Sequence, residues 1–383
     1  MPGVALGMFM TDLPYLLTKV YGFADVFMGT VIFVMGISMV LTSIPFGMLA
    51  DKYGRRNMLV YSSLALSAIV LVFGVSRDPG VLLIAALISG VSEAASSASS
   101  NALLADVSGP AKRTSVFTLT YFSFSIALGV GSFSIPLVVA FEGLGMTEAE
   151  AHTALYVLLS ALSMASTAFL LKVRESKTGL KKGGLREMVI LKSKGILIKY
   201  TLAGAIIAFG AGMVVPLMTR WFYLQYGIPD SLSGPIIGVS DILIGIATLV
   251  APRTAKKFGT VKAIVLTQGL STVFMFGTPL SPSFAMASAV YTARSFMMNM
   301  SSPLSQSMLM GLVPNEERGT ASSITAALWR LPNSFSSVVG AWVFGLGLLS
   351  MPFFVAGVLY IVSIALFWKF FGKVSVPGES APS

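Results

Sequence analysis

The sequence predicts an all-α membrane protein in which twelve transmembrane helices form two homologous six-helix bundles. Three observations predict it. Of 383 residues, 55% are hydrophobic and only 11% charged, far below the charged share of a soluble domain, and the mean hydropathy is +0.83. Apolar runs of membrane-spanning length recur along the whole chain. Residues of the two halves also match each other at one fixed spacing of 205 positions.

A membrane-length window places the spans over residues 3–20, 26–50, 58–76, 81–105, 115–141, 153–172, 200–224, 233–252, 263–280, 284–312, 321–347 and 351–371. Span 1 has little apolar sequence before Asp12 and starts almost at Met1. No basic leader precedes it, so no cleavable signal peptide is expected. Spans 2 and 3 carry no charge along Val26–Ala50 and Met58–Ser76, and they flank the short charged hinge Gly47–Arg56. Residues 173–199 form the one substantial aqueous connector. The expected organisation is therefore an N-terminal bundle over 1–172, a cytoplasmic linker over 173–199, a C-terminal bundle over 200–371 and a disordered tail over 372–383. Within the linker, Leu185–Lys194 mixes apolar and basic residues, and it reads equally as an interfacial segment or a flexible tether.

Lysine and arginine set the orientation. Most of the 26 basic residues fall after spans 2, 4, 6, 8, 10 and 12, among them Arg55, Lys112, Arg113, Lys256, Lys257 and Arg318. Both termini are thus expected in the cytoplasm of a multi-pass plasma-membrane protein. The net charge of +10 is accounted for by topology, so no nucleic-acid partner is implied. The absence of cysteine excludes disulfides and thiolate chemistry. His152, the only histidine, falls in a predicted external loop beside Glu148 and Glu150 and reads as a solvated loop residue.

The repeat pairs Tyr21 with Tyr226, Gly22 with Gly227, Asp25 with Asp230, Gly29 with Gly234, Gly54 with Gly259 and Arg113 with Arg318. Identities held at one offset from loop to helix start indicate duplication of a six-helix unit. The second copy of the hinge, Pro252–Val261, has lost its acid, because Lys256 stands where Asp51 stands.

The hinge itself, Gly47-Met-Leu-Ala-Asp-Lys-Tyr-Gly-Arg-Arg56, resembles the signature loop of the major facilitator superfamily, Gly-x-Leu-Ala-Asp-x-x-Gly-Arg-Arg/Lys. Every fixed position is met. The resemblance implies two six-helix bundles that bind substrate near the midplane and alternate in access. It also implies a conformational latch made by Gly47, Asp51, Gly54, Arg55, Arg56 and Asp106. In that latch Asp51 faces the start of span 11 and Arg55 pairs with Asp106. Subfamily motifs are not met: Ala86 stands four residues before Gly90 where drug/proton antiporters place an arginine, and Val173-Arg-Glu-Ser-Lys177 is not the sugar-porter sequence.

Charges inside spans are costly and face protein or water. Spans 1, 4, 7, 8, 10 and 11 carry Asp12, Glu93, Arg220, Asp241, Arg294 and Arg330, whereas spans 3, 6, 9 and 12 carry none away from their ends. The resemblance implies that those last four are peripheral, which agrees with the charge pattern. Candidate substrate- and proton-binding residues are Asp12, Glu93, Asn101, Asp241, Arg294, Arg330 and Asn333. Glu93 comes first as proton carrier, and Arg294 and Arg330 suit an anionic or polar group. Arg220, beside Trp221, Phe222 and Tyr223, is expected to snorkel to the outer interface. The expected activity is proton-coupled secondary transport of a small organic solute by a monomer in the lipid bilayer, with efflux of amphipathic compounds slightly favoured. A sugar or organic-acid importer of the same fold is the alternative. No catalytic constellation, cofactor loop or metal-ligand cluster appears, so an enzyme is not expected.

Overall fold

Long apolar runs interrupted by glycine and proline leave the backbone one economical solution in a membrane, the helix, which satisfies its own hydrogen bonds. In the computed structural model the described residues are 2–172, 193–314 and 317–374. Side chains are described for these except at 51, 102, 105–115, 117, 118, 318–320 and 323. Every regular element among the described residues is helical. In the first half these are α1 (Pro2–Tyr15), α2 (Asp25–Tyr53), α3 (Arg55–Val75), α4 (Pro79–Ser132), α5 (Leu137–Gly143) and α6 (Glu148–Thr167). The second half supplies α7 (Lys194–Gly212), α8 (Met218–Tyr226), α9 (Asp230–Phe258), α10 (Thr260–Gly277), α11 (Phe284–Leu312), α12 (Arg318–Gly345) and α13 (Met351–Phe371).

Among the described residues, nine helical stretches are long and apolar enough to cross a membrane. The short α1 and the serine-rich α11 and α12 complete twelve. The duplication is written into the element starts: α2 and α9 begin at Asp25 and Asp230 and end at Tyr53 and Phe258, while α4 and α11 begin at Pro79 and Phe284. Each pair is separated by the same 205 positions. Two glycine pairs obey it too. Gly22 and Gly227 have φ of 76° and 68°, and Gly54 and Gly259 have φ of 99° and 81°. Side chains rarely adopt that region, so these turns require glycine in both copies.

Three spans are less regular than a hydropathy window can show. Span 1 is α1 followed by a π-helical turn over Leu16–Val20, with Pro14 inside α1. Span 7 is α7 and α8 separated by a short 3-10 turn at Val215–Leu217 that contains Pro216. Span 5 stops at Ser132 and resumes as α5 after Pro136. The expected loop between spans 4 and 5 is instead helical, since α4 runs 54 residues. A straight helix of that length would extend about 80 Å. Ser89 and Phe124 line one common cavity, so α4 folds back between its two arms, and the intervening sequence supplies Gly109-Pro110.

The chain packs as two compact units. The first holds α1–α6, α8, α9 to Ile242 and α12 from Ser337. The second holds α7, α9 from Leu243, α10, α11, α12 to Ser336 and α13. Glycines set the helix spacing in the first. A Cβ at Gly7 would lie 2.1 Å from the Leu128 carbonyl oxygen, one at Gly131 2.0 Å from that of Val4, and one at Gly90 2.1 Å from that of Met35. Such close backbone approach lets dispersion and weak polar contacts replace the hydrophobic drive that lipid removes. In the second unit Ala263 and Ile264 of α10, Met308 of α11 and Phe367 of α13 share a buried core. There Gly357 admits the Phe276 ring at 2.4 Å from where its Cβ would stand.

Gly7→Ala is expected to destabilise the fold by ~1–3 kcal/mol through overpacking. Gly204→Ala, where nothing lies within 4 Å, should be tolerated. Thermal unfolding of both variants in detergent checks this; equal midpoints would contradict the tight α1–α4 contact.

Candidate functional site

At the end of the first unit where Gly22 and Gly227 turn the chain, three ionisable side chains meet in the interior. Asp12 comes from α1, His152 from the second turn of α6 and Asp230 from the first turn of α9. His152 Nδ1 lies 3.4 Å from Asp12 Oδ2, and its Nε2 lies 3.8 Å from Asp230 Oδ2. One donor atom from each of the three residues falls within 4.8 Å of the others. All three side chains are buried. Both Asp12 oxygens, both ring nitrogens and Asp230 Oδ2 make no hydrogen bond among the described residues. Native interiors seldom leave such groups unbonded, and where they do the reason is commonly functional.

Local structure explains how they meet. Asp12 precedes Pro14 and the π-turn, an irregularity of the kind that gathers at functional sites. Thr18 donates to the Pro14 carbonyl at 2.6 Å, and Thr219 of α8 donates to the Thr11 carbonyl at 2.8 Å, so polar groups from both broken spans bond the distorted backbone of α1. His152 sits one turn past Glu148 on α6, a helix fixed by the Thr147/Glu150 capping box. The Tyr15 ring stacks on the imidazole with centroids 6.0 Å apart, and its hydroxyl donates to Glu148 Oε1 at 3.0 Å. Tyr156, another turn along α6, is buried beside Asp12.

The same end carries an ion pair. Arg220 Nε donates to Asp25 Oδ1 at 2.6 Å and its second nitrogen to Oδ2 at 3.2 Å, with both side chains about nine-tenths buried. Arg220 therefore does not snorkel. The fork of its guanidinium matches the Asp25 carboxylate, which holds it inside. Asp25 and Asp230 occupy equivalent first turns of α2 and α9, so the duplication places an acid at this end twice and each copy has a different basic partner.

A cavity of about 410 Å³ opens elsewhere in this unit. Among the described residues Glu93 is the acid that lines it; Ser63, Ser97, Asn101, Phe9 and Tyr121 are among the other lining residues. Ser67 and Ser163 join hydroxyls at 2.6 Å across α3 and α6 on its wall, so part of the serine content ties helices together. A volume of this size is within the range of small-molecule pockets.

The residues singled out from the sequence fall into separate places. Asp12 is in the buried cluster, Glu93 and Asn101 line the cavity, and Asp241 is half-buried on α9 in the first unit. Arg294, Arg330 and Asn333 belong to the second unit. Arg294 is buried at 3% exposure, donating to the Tyr360 hydroxyl at 3.5 Å, with its guanidinium 5.1 Å from the Tyr291 ring centre. Asn333 donates to the Ala208 carbonyl at 3.2 Å and so joins α12 to α7. In the hinge, Gly54 makes the turn, while a Cβ at Gly47 would meet only ordinary contact, 3.9 Å from Ala98. Arg56 donates to the Leu170 carbonyl at 3.4 Å and also to that of Leu171, fastening the hinge to the end of the sixth span. Arg55 is among the described side chains; those of Asp51 and Asp106 are not.

A further expectation, besides those for Arg220 and for the loop between spans 4 and 5, is overturned. His152 is not a solvated loop residue, because α6 begins four residues before it and turns it inward between two acids. Asp230, Asp25 and Glu148 were also not singled out as site residues. The available signal was the Asp25/Asp230 repeat together with a lone histidine spaced one turn from an acid.

Membrane-length helices with ionisable groups buried between them, and a separate cavity in the same unit, are the features of a multi-pass membrane protein. Comparison with known proteins gives the family. A family model for the Major Facilitator Superfamily matches residues 3–336 and 200–383, and the chain belongs to that superfamily. It is a transporter and not an enzyme. Multidrug resistance protein 2 of Bacillus subtilis (strain 168) is 22% identical over 355 residues, covering 89% of this chain and 86% of the relative. The Na(+), Li(+), K(+)/H(+) antiporter of Planococcus maritimus is 25% identical over 360 residues, covering 85% and 83%. Among solved structures, a D-xylose-proton symporter shares the fold with a TM-score of 0.74, 15% identity and coverage of 99% and 97%. A bacterial homolog of the human lysosomal transporter Spinster does so at 0.73, 14%, 100% and 98%.

Removing one member of the Arg220–Asp25 pair strands a buried charge, so Asp25→Asn and Arg220→Gln should each cost ~1–3 kcal/mol. The double replacement should cost less than the two single losses added together. A double-mutant cycle by thermal unfolding measures this, and strict additivity would contradict the pairing.

Proposed function

We propose that this chain is a proton-coupled secondary transporter that moves small amphipathic organic solutes out of the cell. Its six-helix halves, 1–172 and 200–371, alternate in access as two bodies joined by the linker 173–199. The basic loops hold both termini in the cytoplasm. The hinge residues Gly47, Asp51, Gly54, Arg55 and Arg56 act with Asp106 as the latch of that motion. The observation that carries the solute reading is the cavity of about 410 Å³ in which, among the described residues, Glu93 is the carboxylate set among serines and aromatic rings. An acid in such a chamber selects a basic or polar group on an otherwise apolar solute, and that group and a proton compete for the carboxylate. Competition between the two couples the fluxes.

Asn101 lines the same cavity and supplies hydrogen bonds to the solute. Asp12 carries protons, and Asp241, Arg294, Arg330 and Asn333 complete the ionisable and polar set that changes partners during the cycle. Similarity to a multidrug resistance protein and to an alkali-cation/proton antiporter supports a proton-linked exporter of drug-like compounds.

Purified protein in proteoliposomes tests this with ethidium as solute and an imposed pH gradient. Dye movement should follow the gradient, and Glu93→Gln should reduce gradient-driven accumulation by at least about tenfold, the equivalent of one ~1.4 kcal/mol contact. Flux that ignores the gradient would overturn proton coupling. Gradient-driven flux left intact in Glu93→Gln would remove Glu93 from that role.

A further inference from the structure

We propose that Asp12, His152 and Asp230 form a proton-binding site whose loading holds their end of the first unit closed and whose unloading opens it. The inference rests on the proton-coupled reading above and adds to it the place where protons act on conformation.

The geometry is specific. Each ring nitrogen of His152 faces a different carboxylate, Asp12 at 3.4 Å and Asp230 at 3.8 Å. The imidazole can therefore give a proton from Nδ1 to Asp12 while Nε2 takes one from Asp230, which transfers charge across the cluster without moving a helix. The three groups belong to α1, α6 and α9, so their charge state bears on whether those helices stay together. With both acids ionised and the ring neutral the site would hold two uncompensated negative charges in a buried volume, which favours separation. Each proton taken up removes one of those charges, and two bring the site to neutrality. Two groups of like sign and a shared imidazole titrate as a unit, so closure is expected to change over a narrow pH range.

The surroundings fit a proton and its conformational readout. Tyr15 and Tyr21 next to α1, Tyr156 and Glu148 on α6, and Glu142 on α5 are the other titratable groups that act on the cluster. Lys19 lies 5.8 Å from the Tyr223 ring centre, and Arg220 is committed to Asp25. Glu148, half-buried one turn nearer the helix start than His152, is the outer carboxylate through which protons reach the cluster. Opening requires α8 and the start of α9 to leave α1. Contacts that must break include the Thr219 bond to Thr11, the Tyr15–Tyr223 edge contact and the Arg220–Asp25 pair. The broken spans 1 and 7 provide the joints.

The chain has no cysteine, which makes a direct test clean. Cysteines introduced at Leu144 and Leu232, both exposed and flanking the cluster, carry spin labels for a pulsed distance measurement in the full-length protein. Between about pH 5.5 and about pH 8.5 the short-distance population should give way to a longer one, by up to about tenfold per pH unit for each proton released. The sign follows from linkage: the open state holds fewer protons, so rising pH favours it. Asp12→Asn with Asp230→Asn, which mimics the loaded state, should keep the short distance throughout, and His152→Gln should flatten the pH dependence. A distance distribution that ignores pH in the protein with an intact cluster overturns the proposal, whatever the variants do. An identical pH response in the double-Asn variant also overturns it. Gradient-driven ethidium flux that persists alongside either result leaves the transport reading standing and places coupling at Glu93. A cluster-dependent distance change without gradient-driven flux retains the proton site and sinks the coupled-transport reading.

Discussion

Burying two carboxylates and one imidazole together, with five of their six polar atoms making no hydrogen bond among the described residues, constrains this fold more than any other feature. The elements around it are arranged so that Asp12, His152 and Asp230 come within ion-pair distance: a distorted α1, a capped α6 and a second copy of the helix that begins with Asp25. A site of this kind is stable in only some of its charge states. That instability is the property a transporter can use, because a change of one or two charges reverses the preference between a closed and an open end.

Elsewhere in the first unit small residues bring the helices together. Glycines at 7, 90 and 131 bring backbones into contact, and serine hydroxyls such as those of Ser67 and Ser163 bridge α3 to α6. Packing of that type is tight without large interlocking side chains. It leaves Glu93 in a chamber with room for a solute, and it keeps the buried charges of the second unit, Arg294 above all, among aromatic and hydroxyl partners of their own.

Much of this was legible in the residues. Hydropathy locates the spans to within a few positions, and the fixed spacing of 205 is matched by helix starts at Asp25 and Asp230 and by four left-handed glycines. Four things were hidden. Hydropathy averages over a span, so it cannot see that Pro14 and Pro216 break the first and seventh. A proline-containing bend in α4 looks like a loop because both weaken the helical pattern equally. His152 was hidden for a different reason: its place before the predicted span, beside Glu148 and Glu150, suggested a solvated loop, whereas Thr147 and Glu150 cap a helix there and turn the imidazole away from solvent. Charge partners distant in sequence, such as Arg220 with Asp25, leave no local trace at all.

Because His152 is the only histidine, its ring can be observed alone. Nitrogen-15 labelling of histidine in the full-length protein gives two ring resonances whose shifts report protonation and hydrogen bonding of one side chain. The account predicts that both resonances move when Asp12 or Asp230 is replaced by asparagine, and that they titrate together with the change at the closed end. Resonances of a freely solvated imidazole, indifferent to both replacements, would contradict it.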